Sequence, residues 1–445
     1  MSARGDARNR DGNDSVNSVG PAKYDAEVRP KERRELTSGP AIVCLAIGIL
    51  LTAAVTRSVD GVLFVRDFVT GDGHFVPQGS RGTVVGAAFF LMSLVLAVGA
   101  VAATLMRERS LRIRSHFGAL IVLLVGWYAF CAFIQGEAAD ANAVLILSGG
   151  ISMVFAAAVA PPSMKSVRIV NYVRDVGAVG ALMYSFLNPT TAQIPCREDK
   201  CGIFGSLFTG FYSHENAAAS AVVLLAPAVM SLRTWRAYWV SVSIMVIAVG
   251  ATGSRTAIIA LGVSLLVCTY LRTVKARTGE TTRVLRLVSW IPLAALTAST
   301  IIFLTADPQA FTGRGAIYQF IRSELAGESL LIGQGADIME LVLQASGGVI
   351  AAVGEHGQAP HLLARSGVVG LLIFFLAMVA VAGRRRWVWP DHIALAFLAA
   401  GAAFFPTEPG WGLEFRETDF VAILLAVGLL GSKESALVGK TEDRR

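Results

Sequence analysis

Residues 83–105, TVVGAAFFLMSLVLAVGAVAATL, contain no Asp, Glu, Lys or Arg. A helix that crosses a bilayer needs about 20 predominantly apolar residues, and this run supplies them. Further runs free of charge occur at 41–56, 117–134, 143–160, 217–232, 237–251, 256–270, 287–304, 366–382, 392–405 and 420–431. One more span is expected over 169–187, although Arg174 and Asp175 fall in its first third. The count is twelve. Composition agrees: 54% of residues are hydrophobic and 16% charged, against about 25% charged in soluble domains. The mean hydropathy is +0.58. These values exclude a string of soluble domains of this length. The net charge of +7 does not point to nucleic acid, because the basic residues lie between apolar runs along the whole chain.

Lys and Arg favour cytoplasmic loops. With the N-terminus inside and twelve alternating spans, 29 of the 39 basic residues fall inside. The expectation is therefore an all-α polytopic membrane protein with both termini inside. Residues 1–39 form a polar, disordered cytoplasmic segment, 40–431 the membrane domain and 432–445 a cytoplasmic tail. No cleavable signal peptide is visible, and the first apolar run reads as a retained span. The longest outer segment, 305–365 between spans nine and ten, carries a helical apolar face at Ile317, Phe320, Ile321 and Leu325. A mostly apolar stretch from 338 to 353 could form a surface or re-entrant helix.

Cys196 and Cys201 fall in an outer loop, where a disulfide is permitted. Cys44, Cys131 and Cys268 lie within spans and read as small apolar residues. Arg255 stands in the short outer turn Thr252-Gly-Ser-Arg-Thr256. It either snorkels to the headgroups or binds an anion through its planar fork of donors. Arg314, between two glycines, starts the helix of the long outer loop. His214, His356 and His361 are also outside, and a neutral imidazole is a natural general base. Asn216 could cap the helix that re-enters the membrane after His214. No metal-ligand spacing and no nucleotide-binding glycine loop occur, so neither a metal nor a nucleotide cofactor is expected.

Four segments together resemble the O-antigen ligase/polymerase superfamily. They are Gly210-Phe-Tyr-Ser-His-Glu-Asn216, Gly253-Ser-Arg-Thr-Ala257, Gly313-Arg314 with Gly333-Gln-Gly335, and His356 with Gly367-Val-Val-Gly-Leu371. They stand in the family's order over about 160 residues. The resemblance implies a metal-independent glycosyltransferase at the outer face of the cytoplasmic membrane. It would take a glycan from undecaprenyl diphosphate and pass it to a glycan, lipid or protein acceptor. Arg255 and Arg314 would bind the diphosphate, with Asn216, His214 and His361 near the substrate, and His356 would be the base. His361 remains a second candidate for that role. A twelve-span secondary transporter or flippase is the alternative, discriminated by ionisable residues inside the spans.

Overall fold

The computed structural model describes residues 36–66, 73–136, 141–198, 200–275, 281–308, 310, 314–325, 327–335, 357–385, 387–412 and 417–431. Residues 1–35, the stretch 338–353, His356 and the tail 432–445 lie outside the described residues, as does the side chain of Arg314.

Lipid offers the backbone no hydrogen-bond partners, so each apolar run must satisfy its own N–H and C=O groups. All twelve runs accordingly fall on helices. In chain order these are α1 Gly39–Val55, α2 Arg81–Glu108, α3 His116–Ile134, α4 Ala141–Val159, α5 Met164–Leu187, the single turn α6 Pro189–Ala192, α7 Glu215–Leu224, α8 Trp235–Thr252, α9 Arg255–Lys275 and α10 Thr281–Thr305. There follow α11 Arg314–Glu324, α12 Glu328–Ile332, α13 Gln358–Ala382, α14 Trp389–Ala402 and α15 Thr418–Leu429. Among the described residues, seven stretches are long and apolar enough to cross a membrane: Gly39–Asp60, α2, α3, α8, Arg255–Thr273, Arg283–Thr305 and α13. Ala143–Val159, Glu215–Ser231 and α15 are shorter apolar helices. The chain is thus a helical, multi-pass membrane protein. Two short antiparallel pairs, β1 Val62–Arg66 with β2 Gly73–Pro77 and β3 Gln193–Pro195 with β4 Ser206–Phe208, lie in the connections. In α14, every residue from Pro390 to Ala402 is buried. By contrast α2 exposes Val95 and Met106, as a helix facing lipid would.

The charges in α5 have a structural explanation. The chain after α7 tightens into a 3-10 helix over Ala226–Ser231, because Pro227 has no N–H to continue the α-helix. Carbonyls at that break exchange their α-helical donors for 3-10 ones, as the Ala228 N–H on Leu225 O at 3.1 Å, and have room for a side-chain donor as well. The Arg174 guanidinium donates to Leu225 O at 3.0 Å and Ala226 O at 3.1 Å, to Asn171 Oδ1 and to Ser241 Oγ. Asp175 neutralises it at 2.6 Å. Arg272 serves the other end of the break, donating to Leu232 O at 2.8 Å.

The tenth span is not one helix. Gly367 has φ +65° and ψ −170° and breaks α13 in two. The first half, 358–366, begins inside the bundle. There the Gln358 N–H donates to Phe405 O at 2.9 Å, and its amide side chain exchanges hydrogen bonds with the Trp411 backbone. The Ala359 N–H donates to Ser299 Oγ at 3.1 Å. Four residues on, Leu363 and Ala364 pack with Phe303, which lies four residues on from Ser299. The half-helix therefore runs alongside α10 in the same direction. The sequence shows a glycine within an apolar stretch and predicts a continuous helix entered at Pro360; the break depends on a backbone angle that apolar periodicity does not encode.

Candidate functional site at the disulfide end of the bundle

Cys196 and Cys201 are joined by a disulfide. The bond closes a tight hairpin in which the Arg197 and Lys200 backbones exchange hydrogen bonds. That hairpin points two cations at the start of α7. Lys200 Nζ donates to Glu215 Oε1 at 2.6 Å and to Asn216 Oδ1 at 3.0 Å, and Arg197 donates to Glu215 Oε1 at 3.2 Å. Burial lowers the Lys200 ammonium below the usual lysine value, against the opposing pull of Glu215 and, further off, Glu408. Burial would raise the Glu215 carboxyl, but Lys200 holds it below the usual value. The cap of α7 corrects the expectation for Asn216. His214 Nδ1 accepts from the Ala217 N–H at 3.2 Å and caps the helix, which frees the Asn216 amide for Lys200. An accepting Nδ1 is unprotonated.

The same loop docks on the α8–α9 turn that carries Arg255. The Ile203 N–H donates to Gly250 O at 3.1 Å. Gly253 adopts φ +66° and lies so close to Cys201 that a Cβ there would stand 2.8 Å from the Cys201 carbonyl carbon. Only glycine fits both the angle and the approach. Arg255 opens α9 at this turn and its side chain is exposed.

Arg314 and His361 stand on two elements that pack against Phe303 of α10. Arg314 opens α11, whose Ile317, Tyr318 and Ile321 pack on Phe303. Beyond α12, Gly333 comes so close to the α13 half-helix that a Cβ there would stand 2.7 Å from Ala364 O. The Gln334 N–H donates to Ala364 O at 2.6 Å, and Gln135 at the end of α3 donates to Gly333 O at 2.8 Å. His361 sits on the half-helix, 2% exposed. Among the described residues no three His, Cys, Asp or Glu side chains converge as metal ligands.

Sequence reasoning missed a cavity at this end. A cavity of about 570 Å³ lies between α1, α2 and α4 and reaches the starts of α7 and α15. Arg57, at the end of α1, lines it. So does Tyr212, whose phenol burial pushes up to about 12, so that it stays a neutral donor.

Comparison of the chain with protein-family models, with characterised proteins and with solved structures finds no match.

Proposed function

We propose that the protein is a glycosyltransferase of the O-antigen ligase/polymerase type, with twelve crossings, both termini inside and the disulfide end on the outer face of the cytoplasmic membrane. One observation carries the reading. The motif segments, dispersed through the sequence, fall on helix starts and breaks at one end of the bundle. They comprise the start of α7, the α8–α9 turn, the start of α11 and the glycine contact between 333 and the α13 half-helix. A disulfide at that end suits an oxidising compartment.

In this reading the acceptor hydroxyl attacks the anomeric carbon of the carrier-linked glycan. The bond from that carbon to the diphosphate oxygen breaks, and undecaprenyl diphosphate leaves. Arg255 and Arg314 neutralise the charge that develops on the diphosphate, as preorganised donors do without reorganising. His356 takes the acceptor proton. The acceptor is a second glycan chain, a lipid or a protein, and the product is a cell-surface polysaccharide. The test is a strain lacking the protein, which should accumulate carrier-linked repeat units. Purified Arg255→Ala and Arg255→Lys should both lose transfer, since an ammonium cannot form the bidentate fork. Full transfer by the lysine variant would return Arg255 to a snorkelling role.

Transport is the second reading, and the Arg174–Asp175 pair inside α5 beside the broken α7 favours it. Against it, the Arg174 donors are committed to the carbonyls of the break and to Asn171, Asp175 and Ser241. That is a structural use of the charge.

A further inference from the structure

Arg57 lies in a π-helical turn, Thr56–Asp60, that continues α1. Such turns are rare and concentrate at functional sites. The side chain is 4% exposed. One guanidinium nitrogen donates to Thr209 Oγ1 at 2.7 Å, and the guanidinium carbon stands 3.7 Å from the centre of the Phe75 ring. Its Nε has no hydrogen-bond partner among the described residues. No described carboxylate lies within ion-pair distance of it either, although Glu417 lines the same cavity. A buried, permanently charged group that lacks both a counter-ion and part of its hydrogen bonding is strongly unfavourable unless a ligand supplies them. Thr52 Oγ1, also lining the cavity, is likewise without a partner.

The shape of the cavity says what kind of ligand. Beyond Arg57 its walls become apolar, with Leu45 and Ile49 from α1, Phe89 and Phe90 from α2, and Leu145 and Ile146 from α4. Leu45 and Arg57 are twelve residues apart on one helical stretch, about 18 Å at 1.5 Å per residue. That is about half the ~30 Å hydrocarbon core of a bilayer, the depth of one leaflet. Thr83 and Ala87 line the cavity and are also exposed on α2, which opens it sideways toward lipid. At the polar end, Ser213 and Thr418 stand where α7 and α15 begin, so hydroxyl groups line the cavity beside Arg57.

We propose that this cavity holds a single membrane lipid with a phosphate headgroup. The phosphate sits on Arg57 and Thr52, and the tail runs between α1, α2 and α4. The site uses neither Arg255 nor Arg314 and does not depend on the glycosyl-transfer reading.

The test is binding to the purified full-length protein in non-ionic detergent, with three probes: hexadecyl phosphate, hexadecanol and inorganic phosphate. Hexadecyl phosphate should bind at least tenfold more tightly than hexadecanol, the weight of one hydrogen bond to a charged group. Inorganic phosphate should not compete with it. Arg57→Gln should lose that tenfold preference and leave hexadecanol binding unchanged. Ala87→Trp fills the mouth of the cavity from the lipid side without touching the partners of Arg57, and it should weaken both amphiphiles. It decides the matter if Arg57→Gln fails to fold. Equal affinity for the phosphate and the alcohol in the wild type would overturn the proposal, as would unchanged hexadecyl phosphate binding in both variants. Inorganic phosphate binding as tightly as hexadecyl phosphate would reduce the site to an anion pocket and overturn the lipid.

Discussion

Replacing Gly367 by alanine tests the re-entrant half-helix most directly. At φ +65° and ψ −170° the residue sits in a region that only glycine populates readily, and holding another residue there costs about 1–3 kcal/mol. Space adds to the penalty. A Cβ would overlap Leu331 O and stand 2.6 Å from Ile332 N. These are backbone atoms and cannot rotate away. Overpacking of this kind typically costs about 1–3 kcal/mol more. The sum, about 2–6 kcal/mol, falls on the contact that joins α12 to the break in α13. Gly262→Ala in α9 is the matched control. A Cβ there meets nothing within 4 Å, and alanine is the better helix former by roughly 0.5–1 kcal/mol. Thermal unfolding of the two variants in detergent, followed by loss of monodisperse protein, is the assay. Gly367→Ala should melt about 2–6 °C below the wild type, and Gly262→Ala at or slightly above it. If Gly367→Ala melts with the wild type, the backbone at 367 is not where the helix breaks, and His361 belongs to a continuous tenth span.

Glu215→Gln should be more damaging than loss of one ion pair suggests. It leaves the Lys200 side chain, 9% exposed, facing an amide, and breaking a buried pair from one side costs about 3–5 kcal/mol. A double Glu215→Met, Lys200→Met variant should recover much of the thermal midpoint, and failure to recover would mean that the pair holds more than itself together. The Glu215 carboxyl is held below its usual value of 4.5, so the folded state binds fewer protons there than the unfolded one. Its contribution is present above that value and is lost as pH falls through the depressed one. Acid should therefore expose the Cys196–Cys201 hairpin to protease in the wild type but not shift its exposure in Glu215→Gln. For orientation, a cysteine placed at Thr312 should react with an impermeant thiol reagent in intact cells and one at Thr278 should not; labelling at 278 alone would invert the topology. Finally, His356→Ala should abolish glycan transfer while carrier-linked donor still binds, and His361→Ala, whose imidazole is enclosed by helix packing, should keep substantial activity. The reverse result would move the base to His361.

What was legible in the sequence is what depends on nearest neighbours along the chain. A run such as 83–105 has one way to satisfy its backbone in lipid, so the helix follows from composition. The five-residue step from Cys196 to Cys201 is short enough for a local bridge. Arg57 was not legible. In sequence it is one of three basic residues between 56 and 82 and looks like an ordinary span flank. Its isolation arises from Thr209, 152 residues away, and from walls on α2 and α4. Arg174 and Asp175 weaken the reading of the fifth span because the carbonyls that Arg174 serves, Leu225 O and Ala226 O, stand just after α7, beyond any local window. Pro227 was the available signal, since a proline inside an apolar run announces carbonyls that will need another donor.

Arginine in this bundle divides by what its donors touch. Arg174 and Arg272 spend theirs on carbonyls at the two ends of a broken helix. Arg322 does the same at the end of α10, bonding Phe303 O. Each is fixed by backbone that cannot move away, and each stabilises an irregularity that lipid would not tolerate. Arg57 differs in kind. It is as buried as Arg174, yet among the described residues a hydroxyl and an aromatic face are its partners where Arg174 has carbonyls and a carboxylate. A folded chain that needed only a structural cation at this place would bring it a carbonyl or an acid, as it does for Arg114, Arg168, Arg174, Arg272, Arg322 and Arg384 among the described residues. Holding one against a cavity with part of its bonding unmade is tolerable only if something that enters the cavity completes it, and the apolar walls below it select a molecule with a tail.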